Sequence, residues 1–168
     1  SQNFFKTRTM MNEEGNKYME VYSYYDGLGR PYQTVECKIT PFQTHLITLQ
    51  EYDAANRKTY TWLPVESATS TYMPSASVKA QAVADYGDTH PYTKTEYEAS
   101  PLNKIVNQYG AGEDWNNHPV HIEYMTNTTS SPLNCLNYMV NDNGTLVSSN
   151  QYYAAGQLYV CLLYTSPS

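Results

Sequence analysis

The chain consists largely of short stretches in which apolar and polar residues alternate, the pattern of half-buried β-strands. The stretch over residues 17–25 (KYMEVYSYY) is rich in aromatic side chains and places them on both faces. Segments with Gly, Pro and Asn separate the stretches and favour turns. The pattern predicts a meander of antiparallel hairpins with strands over residues 4–11, 17–25, 32–39, 45–52, 57–63, 92–97, 104–109, 118–125, 137–140, 145–148 and 157–160.

Residues 64–88 interrupt this alternation. Ser, Thr, Ala and Pro dominate residues 66–77, which predicts a loop, and the helix formers of residues 78–85 (VKAQAVAD) predict one short surface helix. A loop of this length is uncommon inside a compact domain, so we expect the segment either to fold over the sheet as a flap or to carry function. The predicted fold class is all-β, an open, curved antiparallel sheet of hairpins with a single helix.

Two turn segments repeat along the chain. Residues 25–31 (YDGLGRP) and residues 52–58 (YDAANRK) each place an Arg four residues after an Asp, and the segments begin 27 residues apart (52 − 25). The Asp side chain can accept hydrogen bonds from the amides that come after it, which favours a type I turn. Gly29 and Asn56 stand where the backbone must take a positive φ, which Gly and Asn tolerate best. Each segment is therefore predicted to be a hairpin tip with a type I turn and a following bulge.

The residues of this repeat are interpreted as turn-formers. Asp26 and Arg30 could pair across their own turn, but we expect the pair to be exposed, and exposed pairs contribute only about 0–1 kcal/mol. Backbone geometry is therefore predicted to matter more than the ion pair. The structural repeat motif comprises Tyr25, Asp26, Gly27, Gly29, Arg30, Tyr52, Asp53, Asn56 and Arg57.

Two further turns are predicted from their residue types. In residues 97–104 (YEASPLNK), Glu98 stands in place of the Asp, and Asn103 and Lys104 stand in place of the Gly and Arg, two positions later than the repeat would put them. This segment is predicted to be a third, altered copy of the repeat. Residues 143–144 (NG) are typical of a two-residue hairpin turn.

The composition limits the partners that the chain can bind. Lys and Arg total 10 against 16 Asp and Glu, for a net charge of −6. Nucleic-acid backbones are bound by clustered positive charge, so no nucleic-acid partner is expected. No apolar run approaches the length of a membrane span. With 18 Tyr and only 3 Phe, amphipathic aromatics half-buried on strands must supply much of the apolar area.

The length of 168 residues suits one domain with a core, and we predict a single β-rich domain over residues 1–160. Residues 161–168 (CLLYTSPS) resemble the translation of a transposon-based sequencing adapter. We therefore expect the natural sequence to be cut off near Val160 and the rest to be an assembly artefact, with an ordinary edge strand rich in Leu and Tyr as the alternative. Because the chain opens on Ser1 and not on Met, the lack of a signal peptide carries no weight.

Metal and cofactor chemistry is not expected. His118 and His121, three residues apart on a predicted strand, would point to opposite faces, and nothing completes a zinc set. His121 and Glu123 would share a strand face and are interpreted as an ordinary polar pair. The three cysteines lack metal-ligand spacing and are predicted to be buried or half-buried thiols: Cys37, Cys135 and Cys161.

No catalytic residue is predicted either. The sequence has no Gly-x-Ser-x-Gly motif, no phosphate-binding Gly loop and no Cys-His nucleophile signature. Trp62 and Trp115 with the Tyr-rich strands could form a sugar-stacking platform, although half-buried sheet positions are the better explanation. Six acidic residues could supply the two acids of a glycosidase, as in almost any acidic β-protein: Asp85, Asp88, Glu96, Glu98, Glu113 and Asp114.

The repeat motif carries a family resemblance. Residues 25–31, together with Gln33 and Val35 after them, resemble the tyrosine-aspartate (YD, or RHS) repeat. The likeness is in particular to a domain of unknown function that precedes RHS repeats in large bacterial secreted or surface proteins. It extends to about Tyr124, with further support from residues 51–53, Arg57 and residues 62–64, 91–92, 97–103 and 110–115.

The resemblance implies an RHS-like sheet, extended and spiralling, whose repeats are structural and can form a shell around a C-terminal toxin or effector. It implies other RHS repeats of the same full-length protein and an encapsulated effector domain as partners, and a secreted or cell-surface location. The family segment has no known catalytic residues, and the two or three repeats here are too few to close a shell. We expect a non-catalytic scaffold, with a carbohydrate- or cell-surface-binding module as the alternative and a glycoside hydrolase fragment as the third.

Overall fold

The computed structural model describes residues 2–165, and the predicted all-β class with one short helix is confirmed. The chain forms two compact units, of which the first ends at Pro119 and the second begins at Val120. One domain over residues 1–160 remains a prediction. The first unit contains β1 (Asn3–Met10), β2 (Tyr18–Tyr25), β3 (Pro31–Cys37), β4 (His45–Tyr52), β5 (Lys58–Ser67), α1 (Ser75–Tyr86), β6 (Tyr92–Tyr97), β7 (Ile105–Tyr109) and a 3₁₀ turn (Glu113–Trp115).

Strands β1 to β7 of the first unit pair in chain order, each antiparallel to the next, as the meander prediction requires. Successive residues of a strand point to opposite faces, so cross-strand partners form rows on one face. One such row crosses five strands and supplies much of the core. Its members are Tyr24, Gln33, Leu49, Trp62 and Tyr92.

Helix α1 covers this face of the sheet. Val78 and Ala82, four residues apart and hence on one stripe of the helix, are fully buried against Ile47 and Val65. The helix is longer than predicted because it begins at Ser75, and Gly87 ends it with a left-handed φ of 61°. The core comprises Tyr24, Val35, Ile47, Leu49, Trp62, Val65, Val78 and Ala82.

Strand β5 continues past its predicted end at Leu63 and runs through Pro64. Proline has no backbone N–H and cannot donate a hydrogen bond to a neighbouring strand. Pro64 lies where the pairing of β5 with β4 shifts register, opposite the stretch between Ile47 and Leu49, so the pairing needs no donor there. The predicted loop over residues 66–77 therefore shortens at both ends. Its remainder folds over the sheet as a flap, one of the two predicted outcomes.

The flap is held by a buried amide. Gln33 is 1% exposed, and its side chain accepts a hydrogen bond from the Met73 amide (3.1 Å) and donates one to the Met73 carbonyl (2.7 Å). The Tyr72 ring packs on Tyr24, with centroids 5.5 Å apart. The Gln33 side chain thus pairs with the Met73 backbone through one donor and one acceptor, as a neighbouring strand would, and fixes the flap on the core face of the sheet.

The second unit contains two strand pairs. Strand β8 (Val120–Thr126) pairs with β11 (Tyr159–Tyr164), and β9 (Leu136–Val140) pairs with β10 (Leu146–Tyr152). The fully buried Asn127 anchors the chain between these pairs, since its side chain accepts from the Leu158 amide (2.8 Å) and donates to the Ala154 carbonyl (2.9 Å).

Part of the segment predicted to derive from a sequencing adapter lies in β11. Its first four residues, 161–164, pair with β8, and residues 166–168 lie outside the described part of the chain. The origin of the segment remains a prediction. Within residues 2–165, no helix is long and apolar enough to cross a membrane.

Candidate functional site: the row of hairpin tips

Three hairpin tips lie at the same end of the first unit's sheet. They come directly after β2, β4 and β6, and the connections of an antiparallel meander alternate between the two ends of the sheet. We call them tip A (residues 26–30), tip B (residues 53–57) and tip C (residues 98–104). Tips A and B are the two copies of the sequence repeat.

Tips A and B have the backbone predicted for them. In tip A the Asp26 amide donates to the Arg30 carbonyl and the Gly29 amide donates to the Asp26 carbonyl, both at 3.0 Å. Tip B repeats these bonds, and Gly29 and Asn56 take positive φ values of 76° and 65°. This is a type I turn with a following bulge. One backbone requirement is met by two different residue types.

The Asp of each tip accepts hydrogen bonds from its own turn through both carboxylate oxygens. Asp26 Oδ1 accepts from the Leu28 amide (2.9 Å) and the Arg30 amide (3.0 Å), while Oδ2 accepts from Arg30 Nε (2.7 Å). Asp53 makes the corresponding three bonds in tip B. The Arg30 amide, and after it the guanidinium, lowers the pKa of Asp26 below its ordinary value, and the same groups of Arg57 lower the pKa of Asp53. Both carboxyls are therefore held ionised.

Each arginine reaches from its own tip to the next one. The Arg30 guanidinium stacks on the Tyr52 ring at 4.6 Å, and its Nη1 donates to Asn56 Oδ1 at 2.7 Å. The Arg57 guanidinium stacks on the Tyr97 ring at 4.7 Å, and its Nη1 donates to the Glu98 carbonyl at 3.0 Å. A planar, always charged guanidinium suits this combination of stacking and hydrogen bonding.

The tyrosine hydroxyls close the contact. Tyr52 donates to the Pro31 carbonyl (2.7 Å) and Tyr97 donates to the Lys58 carbonyl (2.9 Å). Each accepting residue comes directly after the arginine on which the ring is stacked. The Arg–Tyr link, as we call this arrangement of guanidinium, ring and carbonyl, thus recurs at both junctions between consecutive tips.

The expectation of an exposed Asp–Arg pair is wrong. The side chains of Arg30 and Asp26 are only 26% and 25% exposed, because the neighbouring tip and the Tyr52 ring cover them. Sequence reasoning also missed the role of the arginines between tips. The sequence contained one signal of this role, the recurrence of Tyr, Asp and Arg at a 27-residue interval. A turn alone does not require the same residues at a second, distant turn.

The contacts of the motif residues Tyr25 and Gly27 differ from those of the Arg–Tyr link. The Tyr25 ring meets the Phe5 ring edge-on at 5.3 Å. A Cβ on Gly27 would meet nothing within 4 Å, so no close approach requires glycine there.

Tip C keeps the predicted turn geometry, since the Glu98 amide donates to the Lys104 carbonyl (2.9 Å) and Asn103 has a φ of 56°.

The six carboxylates considered for glycosidase chemistry include a close pair. Asp88 and Glu113 lie close together, beside His90, and could hold a metal ion. The pKa values of both are lowered, by backbone amides at Asp88 and by the Thr89 hydroxyl at Glu113, and neighbouring Lys94 lowers the pKa of Glu96. A glycosidase acid needs the opposite shift.

Other candidate residues also differ from expectation. Trp62 is 9% exposed and lies under α1, so it cannot serve a sugar-stacking platform, whereas Trp115 is 46% exposed. His118 precedes β8 and is not on the strand with His121. Cys37 is half-buried as predicted, but the prediction was wrong for two exposed thiols of the second unit: Cys135, just ahead of β9, and Cys161, on β11.

Comparison with known proteins gives one family. Neither curated proteins nor solved structures yielded a match. The family model described as Domain of unknown function (DUF6443) matches residues 2–129, which is well over half of the chain and includes all three tips. The chain therefore belongs to the DUF6443 family, a domain of unknown function.

Proposed function

We propose that this chain is a non-catalytic structural segment of a bacterial RHS/YD-repeat surface or secreted protein. In this proposal it contributes hairpins to a β-sheet shell or scaffold that encloses or presents a C-terminal effector. Its partners are other repeats of the same full-length protein and the enclosed effector domain. The location outside the cytoplasm rests on the sequence resemblance alone.

The observation that carries the proposal is the recurrence of the Arg–Tyr link. Each arginine donates from Nη1 to the neighbouring tip and from Nε to the Asp of its own turn. These contacts hold the four side chains in the turns and between the tips. A motif that joins each hairpin to the next is what a sheet built by repetition needs, because each unit then contacts its neighbours in the same way.

The carbohydrate-binding alternative has less support. Its platform would need exposed, coplanar aromatic rings, but the Trp62 ring is covered by Lys79, whose Nζ lies 5.3 Å from the ring centroid. Trp115 remains exposed as a single ring. For the hydrolase alternative, the carboxyls of Asp88, Glu96 and Glu113 have lowered pKa values, whereas a glycosidase acid needs a raised one.

Two experiments test the proposal. A glycan array probed with the purified chain should show no selective binding, and selective retention of one glycan class would overturn the scaffold in favour of the binding module. The full open reading frame, recovered by long-read sequencing of the genome, should encode further Tyr-Asp hairpins and a downstream effector domain. A frame that encodes neither would contradict the proposal. Such a frame would leave the Arg–Tyr link as a feature of this domain alone.

A further inference from the structure

A cluster of metal-ligating side chains lies at the opposite end of β6 from tip C. Asp88 and His90 precede β6, and Glu113 lies after β7 in the 3₁₀ turn. Strands β6 and β7 are antiparallel, so the segment before one and the segment after the other meet at one end of the sheet. A hydrogen bond from the Gly112 amide to the His90 carbonyl (2.7 Å) joins the two segments. We call Asp88, His90 and Glu113 the β6–β7 cluster.

The ligand atoms of the β6–β7 cluster are close enough to share one ion. A carboxylate oxygen of Asp88, a ring nitrogen of His90 and a carboxylate oxygen of Glu113 all lie within 4.8 Å of one another. In a tetrahedral zinc site with bonds of about 2.1 Å, ligand atoms are about 3.4 Å apart. The His90 ring nitrogen already contacts a Glu113 carboxylate oxygen, so side-chain rotations would separate these two atoms as both turn towards a shared ion.

Asp88 is already oriented for such a role. Its Oδ1 accepts from the His90 amide (2.6 Å) and the Glu113 amide (3.0 Å), and Oδ2 shares the Glu113 amide at 3.0 Å. A carboxylate has about four lone-pair sites, so Oδ2 keeps one for a cation. Gly112, with a φ of 112°, leaves this oxygen uncovered, since a Cβ there would stand 3.3 Å from it.

The charges of the β6–β7 cluster favour a cation. Asp88 and Glu113 each bring a carboxylate to the cluster, and the Asp88 carboxylate is held in place by the His90 and Glu113 amides. Two anions and an imidazole thus converge on one point, with the Thr89 hydroxyl bonded to both Glu113 and His90. An excess of negative charge around a common centre is relieved by a divalent cation.

We propose that Asp88, His90 and Glu113 bind a zinc ion that ties the Glu113–Trp115 turn to the segment ahead of β6. One imidazole and two carboxylates match the ligand types and the low coordination number of Zn²⁺. Mg²⁺ and Ca²⁺ need six or more oxygen ligands and accept imidazole poorly. The fourth position would be open to water. The role is that of a metal staple between two loops, with Thr89 orienting the imidazole and the glutamate.

The test is isothermal titration of the chain with ZnCl₂, using a form in which Cys37, Cys135 and Cys161 are replaced by Ser so that thiolates cannot bind the metal. One Zn²⁺ per chain is expected, together with a rise in the thermal midpoint that EDTA reverses. Glu113→Gln and His90→Ala should each weaken Zn²⁺ binding at least about tenfold. The matched control, His121→Ala, should leave affinity unchanged.

Several outcomes would overturn the proposal. They are no binding by the Cys-free chain, binding that persists in both cluster variants, loss of binding in His121→Ala, and equal affinity for Ca²⁺ and Zn²⁺. Glu113 has a side chain that is 57% exposed, so Glu113→Gln should fold normally even if His90→Ala does not. Far-UV circular dichroism of each variant shows whether it folds. If His90→Ala does not fold, the Zn²⁺ titration of Glu113→Gln decides whether the proposal holds.

Discussion

Two regions of the molecule contain the same turn in different surroundings. Tip B lies in the first unit's sheet, and the hairpin between β9 and β10 in the second unit ends in residues 141–145, which we call tip D. In tip D the Asn141 amide donates to the Thr145 carbonyl (3.0 Å), the Gly144 amide donates to the Asn141 carbonyl (2.9 Å), and Gly144 has a φ of 75°. The Asn141 side chain accepts from two amides of its turn, as Asp53 does in tip B.

The two tips differ in the residue that completes the turn and in its surroundings. Tip D has Thr145 where tips A and B have arginine, and its flanking Val140 and Leu146 are each 66% exposed. The shared part of the motif, an Asx residue with Gly or Asn three positions later, therefore builds the turn alone. The arginine and the tyrosine are the additional parts that join one hairpin to the next. Tip D also corrects the predicted two-residue turn at residues 143–144, because the Asn141 side chain starts the turn two residues earlier.

The largest expected effect comes from the shared part. Gly29→Val should lower the free energy of unfolding of the first unit by about 2 kcal/mol, because it forces a β-branched residue into a positive φ. Arg30→Ala should cost about 1 kcal/mol, since it removes a stacked cation. Urea unfolding monitored by tyrosine fluorescence measures both. Equal losses for the two variants would count against the turn assignment.

A matched substitution at tip D separates local from shared effects. Gly144→Val imposes the same backbone strain as Gly29→Val, because both glycines have φ values near 75°. We expect it to destabilise the β9–β10 hairpin and to leave hydrogen-exchange protection of β2 and β3 unchanged. Loss of protection in β2 and β3 would show that the tips do not act locally.

The next effect concerns the linking part. Arg57→Ala should cost about 1–2 kcal/mol of unfolding free energy, since it removes the stack on Tyr97 and leaves the Glu98 carbonyl without its guanidinium donor. The matched change at tip D, Thr145→Ala, should stay within about 0.5 kcal/mol of wild type. Similar losses in both variants would remove the distinction between the two tips.

The sequence revealed the turns because their causes are local. Asp26 and Gly29 act within five residues, and the chain shows both by residue type alone. The Arg–Tyr link depends on the register of separate strands. Tyr97 comes 40 residues after Arg57 (97 − 57), with α1 between them, so no short window of sequence contains the pair. Contacts of this range are set by the sheet as a whole.

Burial under the helix was equally inaccessible to sequence reasoning. Trp62 lies between Thr61 and Leu63 on a predicted strand, and its burial depends on packing by α1 and by Tyr92 that no local pattern shows. The β6–β7 cluster was missed for a similar reason. Its members are spread over residues 88–113 and have no recognised metal-ligand spacing, so they meet only because β6 and β7 pair.

The pH dependence of the unfolding free energy should report the ionisation of Asp53 in tip B. The folded pKa of Asp53 lies below its ordinary value of 3.8, so its contribution is complete above pH 3.8 and is lost as pH falls below 3.8 through the folded pKa. Asp53→Asn should therefore be less stable than wild type at neutral pH, and the difference should shrink as the pH falls below 3.8. Thermal midpoints across this range measure the difference. A gap that persists unchanged at low pH would contradict the assignment.

The smallest expected effect is a gain. Asn3 pairs with Tyr25 across β1 and β2 and precedes Arg30 by 27 residues (30 − 3), the interval that separates Arg30 from Arg57. Asn3→Arg should therefore place a guanidinium near the Tyr25 ring and raise the unfolding free energy by about 0.5 kcal/mol. Asn3→Leu serves as the control for added apolar surface. An equal gain in both variants would mean that stacking contributes nothing at this position.

Arg57 and Tyr97 are expected to couple tip B energetically to tip C. A double-mutant cycle with Arg57→Ala, Tyr97→Ala and the combined variant measures that coupling directly as a difference of unfolding free energies. We expect a coupling energy of about 1 kcal/mol, since the guanidinium stacks on the ring at 4.7 Å. Losses that add to within about 0.3 kcal/mol would contradict the claim and leave both tips as independent turns.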